Sequence, residues 1–274
     1  MVHRLIAPIA YRVVLVLAAA LVLVPVRGAY AGIGPGATCA HRAPGDEHQA
    51  TLMCINGQNG EVYGGGFTQF VNDTLFIDTY EAVSPQNGHI NAEMWVYTGS
   101  AEQTWIEVGL RAGIYHPLDP NGCNCQAYAR FWAEIATGYG QLTHLIAYTS
   151  PNLTNHTYQV QRNSTNTKRW DVHVDFNLKG SSAHQTSDRA YEITTGIETV
   201  FADSNHNYSG KFDFRTLEYR LLTSATWPKW PYSREYNGFR CTATNVPPCL
   251  WSRVVSSYEY KAQKLKYGQA VPTS

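Results

Sequence analysis

From Phe67 onward the chain is a succession of short runs in which apolar and polar residues alternate, each run broken by turn-forming residues. Successive side chains of a strand point to opposite faces, so each run can be read as two faces. Thr104 to Tyr115 sets Ile106, Val108, Leu110 and Ala112 against Trp105, Glu107, Gly109 and Arg111. Ala127 to Ile135 sets Tyr128, Arg130, Trp132 and Glu134 against Phe131. Arg169 to Leu178 has the apolar face Trp170, Val172, Val174 and Phe176, and the polar face Asp171, His173, Asp175 and Asn177. Thr195 to Asp203 sets Ile197, Thr199 and Phe201 against Glu198 and Val200. Glu93–Thr98, Thr143–Thr149, Thr157–Arg162, Lys211–Thr223 and Val254–Ala262 complete the predicted strands. Asn87-Gly88, Pro120-Asn121-Gly122, Thr137-Gly138 and Ser150-Pro151-Asn152 supply turn chemistry between them. About nine to twelve short strands with no long helical stripe predict an all-β fold, an antiparallel two-sheet β-sandwich of jelly-roll or concanavalin-like type. The sandwich is expected over residues 67–274, after a Gly-rich segment, 32–66, read as irregular.

The first 31 residues change the picture. His3, Arg4 and Arg12 precede an apolar stretch, Val13 to Val26, and Ala29-Tyr30-Ala31 is an A-x-A site, the pattern of a cleavable secretory signal. The stretch is about 14 residues long, short of the ~20 that span a bilayer. Removing residues 1–31 leaves 18 basic against 21 acidic residues. That balance gives no electrostatic basis for holding nucleic acid or an anionic membrane. All six cysteines, Cys39, Cys54, Cys123, Cys125, Cys241 and Cys249, lie after the signal. An even count in an exported chain suggests disulfides, and near neighbours make the simplest set: Cys39 with Cys54, Cys123 with Cys125, Cys241 with Cys249. The alternative, a metal held by four thiolates, lacks CxxC spacing, so no metal and no cofactor is expected. Sequons at Asn72, Asn152, Asn155, Asn163 and Asn207 matter only where the host glycosylates exported proteins.

No G-x-S-x-G, H-E-x-x-H or phosphate-binding loop is present, and no thiol stands in a protease context. What remains is carboxylates in mid-strand. Hydrolysis needs a base for water and a group that stabilises or protonates the oxygen gaining charge, and two carboxyls in unlike surroundings can divide these tasks. Glu107 stands in Trp105-Ile106-Glu107-Val108-Gly109, and Glu198 in Gly196-Ile197-Glu198-Thr199-Val200. Gly109 and Gly196 could leave room for a substrate backbone. The plainer alternative is that both glutamates face water on a half-exposed sheet. Glu93, beside Met94-Trp95, is a third carboxylate that could join them.

Ile106-Glu107-Val108-Gly109, with the aromatic strand Tyr128–Glu134 downstream, resembles the glutamic peptidases, of the neprosin type and more distantly the eqolisin type. Gly196-Ile197-Glu198-Thr199-Val200 is a looser match to their second catalytic element, and Asn207–Phe214 is similar to the strand that follows it. The likeness spans about residues 90–220; Glu at 107 excludes the Gln–Glu dyad of eqolisins, and the two-cysteine loop is shorter. The resemblance implies a secreted endopeptidase with Glu198 as base and Glu107 as oxyanion partner. Trp105, Gly109, Arg111 and Trp132 would line the substrate, a polypeptide. The competing expectation is a lectin-like sandwich that binds glycans without catalysis. In that case the aromatic stretch Trp227-Pro228-Lys229-Trp230-Pro231-Tyr232 could be a stacking platform rather than a cap.

Overall fold

The computed structural model describes residues 39, 48–57, 61–71, 75–77, 89–99, 104–113, 127–149, 154–200 and 207–273. Among these, sixteen strands form and no helix. β1 (His48–Asn56), β2 (Tyr63–Val71), β3 (Leu75–Ile77), β4 (His89–Tyr97) and β5 (Trp105–Gly113) are followed by β6 (Ala127–Ala136), β7 (Gly140–Tyr148), β8 (His156–Arg162) and β9 (Trp170–Val174). The rest are β10 (Asn177–Ser181), β11 (Glu192–Val200), β12 (Asn207–Ser209), β13 (Phe212–Leu221), β14 (Arg234–Asn237), β15 (Cys249–Ser256) and β16 (Glu259–Leu265). Two seven-stranded antiparallel sheets result. The first has the order β14-β1-β11-β4-β5-β6-β7 and the second β10-β9-β8-β2-β13-β16-β15; β3 and β12 pair separately.

The core lies between the two sheets. Ile106, Val108, Leu110 and Ala112 of β5, with Ile90, Ala92, Met94 and Val96 of β4, meet Phe70, Tyr158, Val172, Phe212 and Phe214 of the second sheet. Fully burying a side chain of this size stabilises the fold by ~1.5–3 kcal/mol. Trp230 belongs to the same core and is 1% exposed, while Tyr232 donates from its hydroxyl to the Asn56 carbonyl. The Trp227–Tyr232 stretch therefore caps the sandwich instead of offering an open platform.

Three sequence expectations are corrected. The segment 32–66 is not irregular throughout: it contains β1 and the start of β2. β1 is largely buried on both faces, so it lacks the alternation by which half-exposed strands are recognised. The Gly64-Gly65-Gly66 run is part of β2, because a Cβ on Gly65 would meet the Val160 carbonyl at 2.7 Å and one on Gly66 the Ile193 side chain at 2.6 Å. The run Arg169–Leu178 is a hairpin, not one strand. Asp175 (φ 51°) and Phe176 (φ 61°) turn the chain, and Phe176 is 72% exposed instead of buried. Two consecutive positive φ values make the tight turn that suits twisted strands, here without glycine. Val254–Ala262 likewise folds back on itself as β15 and β16.

Cys39–Cys54 and Cys241–Cys249 are disulfide-bonded, as the simplest pairing anticipated. Cys123 and Cys125 lie outside the described residues, as do the signal-like residues 1–31. Among the described residues no helix is long and apolar enough to cross a membrane.

The two sheets are also tied at one edge by a polar chain. Arg130 Nη2 lies 2.6 Å from His156 Nε2, and His156 Nδ1 lies 2.8 Å from Asp175 Oδ2. The Thr157 amide donates to Asp175 Oδ1 at 3.0 Å. Burial raises the Asp175 carboxyl, but the Thr157 N–H, His156 and the Arg130 charge together outweigh it and hold the group below its usual range. A carboxyl lowered on folding stabilises the fold fully above its unfolded value near pH 4. That contribution is lost as pH falls through the lower folded value. Asp175 is half exposed, so screening limits the effect to about 1 kcal/mol. Asp175→Asn should therefore lower the melting temperature by roughly 2–4 °C at pH 7 and by less at pH 3, as read by thermal unfolding at both values.

Candidate active site

Because β5 alternates, the residues opposite its core-facing set point away from the second sheet. This outer face of the first sheet carries four glutamates, and each is buried: Glu93 is 1% exposed, Glu107 3%, Glu192 5% and Glu198 5%. Buried carboxylates are costly unless donors meet them. At Glu107 the donors are explicit. Trp105 Nε1 donates to Oε2 at 2.9 Å, Trp95 Nε1 donates to the same oxygen at 3.1 Å, and Gln141 Nε2 donates to Oε1 at 2.9 Å. The register explains the convergence. Trp95 stands directly opposite Glu107 on β4, and Trp105 precedes it by two residues on its own face. Three N–H donors suit an ionised carboxylate rather than a carboxylic acid.

Cross-strand pairing resolves the face into rows. Glu192, Tyr97, Trp105, Ile135 and Gln141 make one row; Thr194, Trp95, Glu107, Ala133 and Thr143 the next. Gly196, Glu93, Gly109 and Phe131 follow, then Glu198, Asn91, Arg111 and Ala129. With ~4.8 Å between strands and ~3.4 Å per residue, the Cα of Glu107 lies ~8 Å from that of Glu93, ~12 Å from Glu192 and ~17 Å from Glu198. Glu107 and Glu198 therefore share a face, but they stand two strands and two rows apart, too far for upright side chains to hold one water between them. Glu192 lies nearer, beyond Trp95 and Tyr97, and its Oε1 accepts from Thr194 Oγ1 at 2.7 Å. Glu192 and Gln141 escaped sequence reasoning. Glu192 starts a strand predicted to begin at Thr195, and Gln141 reaches Glu107 from two strands away.

Trp105, Gly109 and Arg111 lie on the Glu107 face as expected; the Arg111 guanidinium sits over the Phe131 ring at 5.9 Å. Trp132 does not. It pairs with Val108, so it points toward the second sheet, where it is 4% exposed and stacks on His144 at 3.9 Å. Burial lowers the His144 pKa against the pull of Glu134. Glu134 is on that same core-facing side and is 1% exposed. It accepts the Ala183 and His184 amides at 2.9 and 3.1 Å and anchors the loop before β11. Gly109 and Gly196 have a structural reason of their own. A Cβ would come within 2.1 Å of the Ala92 carbonyl oxygen at the first and of the Thr51 carbonyl oxygen at the second.

Elsewhere, Asp171 of β9 is engaged by Asn163 Nδ2 and Ser181 Oγ, and Asp175 stands in the turn rather than on its strand face. No group of three or more metal-binding side chains occurs among the described residues.

No family profile matches the chain, and no curated protein matches it in sequence. Solved structures do. Scytalido-glutamic peptidase with a transition-state analogue inhibitor superposes with a TM-score of 0.47 at 8% identity, over 80% of this chain and 98% of that one. SCP-B, a member of the eqolisin family of peptidases in complex with the tripeptide Ala-Ile-His, gives 0.43 at 9% identity over 79% and 98%. A Bacillus licheniformis β-glucanase gives 0.31 at 13% over 56% and 66%.

Removing one indole donor from a buried carboxylate should be felt in stability. Trp95→Phe and Trp105→Phe should each cost at least about 1–3 kcal/mol, measured by denaturant unfolding, as the N–H is lost and the smaller phenyl leaves part of the indole's space unfilled. Gly109→Ala should cost about as much through backbone displacement alone.

Proposed function

We propose that this chain is a secreted two-carboxylate endopeptidase of the glutamic type, with Glu107 at its centre. The observation that carries this reading is the Glu107 carboxyl: buried, in mid-strand, gripped by three N–H donors, and on the face turned away from the core. An apolar residue would fill that site at less cost, and positioned carboxylates in such surroundings are what acid–base chemistry requires. The A-x-A signal and the paired cysteines support export.

The roles follow from the surroundings. Glu107, kept ionised by its donors, takes a proton from water as the water oxygen bonds to the peptide carbonyl carbon. A second, protonated carboxyl donates a hydrogen bond to the oxyanion that forms. The proton held by Glu107 then passes to the departing amine as the C–N bond breaks. By register Glu93 (~8 Å) and Glu192 (~12 Å) both stand nearer to Glu107 than Glu198 (~17 Å), so either is better placed than Glu198 to supply the second carboxyl. This reverses the role that sequence alone suggested for Glu107. Trp95 and Trp105 would exclude water as well as aim the base. Glycan binding lacks a comparable observation, since the aromatic stretch 227–232 is committed to capping.

The test is cleavage of unfolded casein by the purified chain without residues 1–31, from pH 3 to pH 8. Activity should favour acid, because one carboxyl must stay protonated. Glu107→Gln should lower kcat by roughly 100-fold or more while remaining folded, as should one of Glu93→Gln and Glu192→Gln, and Glu198→Gln should retain most activity. Equal cleavage by wild type and Glu107→Gln, or none by folded wild type, would refute the assignment.

A further inference from the structure

Two rows beyond Glu107 the outer face holds a polar group without an evident structural purpose. Asn91 is 4% exposed, and among the described residues its side-chain Oδ1 meets no hydrogen-bond donor. It stands directly between Glu198 on β11 and Arg111 on β5. A buried carbonyl oxygen left unmet destabilises the fold, and such groups are rare unless something else supplies the donor. Between this row and that of Glu107, Gly196 and Gly109 flank the single side chain Glu93 on β4 and its neighbours. In that row Glu93 is flanked by two residues without side chains, with Leu52 and Phe131 next outward on β1 and β6.

We infer that Asn91 is a substrate-binding residue whose Oδ1 accepts a main-chain N–H of an extended polypeptide lying across this face. The inference rests on the peptidase reading and deepens it. An acceptor oxygen selects an N–H or O–H donor, and a peptide chain presents N–H groups at regular intervals. Asn91 is four residues along β4 from Trp95, which stands level with Glu107. That is ~13–14 Å, the length of about four extended residues. The site would therefore prefer substrates that continue about four residues beyond the scissile bond on one side. Asn91 touches substrate far from the reacting atoms, so it governs substrate length and not the chemical step.

The experiment is a ladder of peptides lengthened one residue at a time on either side of one cleaved bond, assayed with wild type and Asn91→Leu. In wild type, kcat/KM should rise roughly tenfold when extension on one side reaches about the fourth residue, the worth of one buried hydrogen bond. Asn91→Leu should lose that rise, cleave the shortest peptide at the wild-type rate, and melt at the same temperature or higher. N-methylation of the contacted amide should abolish the rise in wild type, a result that needs no variant to fold. A rise that survives both changes, or no length dependence in a wild type that cleaves, overturns the inference and leaves the peptidase reading standing. Equal losses on short and long peptides in Asn91→Leu also overturn it. Absence of cleavage of every peptide by wild type removes both together.

Discussion

The pleat of three neighbouring strands, β11, β4 and β5, is the constraint on which both the core and the candidate site depend. Their antiparallel registers run without interruption, so every second residue is committed to one face. On one face Ile106, Val108, Met94, Val96, Ile193 and Ile197 close against the second sheet. On the other Glu93, Glu107, Glu192, Glu198, Asn91 and Arg111 are brought together. A slip of one residue in any of these strands would drive carboxylates into the apolar layer and isoleucines out of it. The core thereby fixes the register, and the register fixes the site.

The outer face is an uncommon place for so many carboxylates because it is nearly as buried as the core. Its cost is met locally around Glu107, where the aromatic side chains that exclude water also supply the N–H groups that hold the charge. Indoles suit this dual task, being large apolar surfaces with a single donor. Gln141 completes the set from the exposed edge strand β7, so the carboxyl is gripped from inside the sheet and from its rim. Gly109 and Gly196 allow the strands that carry this cluster to approach each other where a Cβ would strike a carbonyl oxygen.

Away from the site, the two sheets are held in place by different means at different points. The Arg130–His156–Asp175 chain joins β6 of the first sheet to β8 and the β9–β10 turn of the second. Glu134 fastens the loop that leads into β11. Tyr260 of the second sheet and Thr51 of the first meet through their hydroxyls at 2.6 Å across the core. These ties keep β11 and β5, which are distant in sequence, at fixed positions on either side of β4.

The sequence alone determined what depends on nearest neighbours along the chain. Alternation over 104–115 revealed which side of β5 faces the core and that Glu107 shares a face with Trp105, Gly109 and Arg111. Short cysteine spacings identified two disulfides. Tertiary structure decided what depends on which strands become neighbours. Alternation gives relative facing within one strand only, so it left Trp132 free to be assigned to the Glu107 side, whereas pairing with Val108 puts it on the other. The turn at Asp175-Phe176 was hidden because no glycine marks its positive φ values. β1, buried on both faces, showed no alternation. The surroundings of Glu107 were beyond sequence reasoning for the same reason: Trp95 and Gln141 reach it from β4 and β7, and the order of those strands is set by packing two sheets face to face, an interaction that no local pattern encodes.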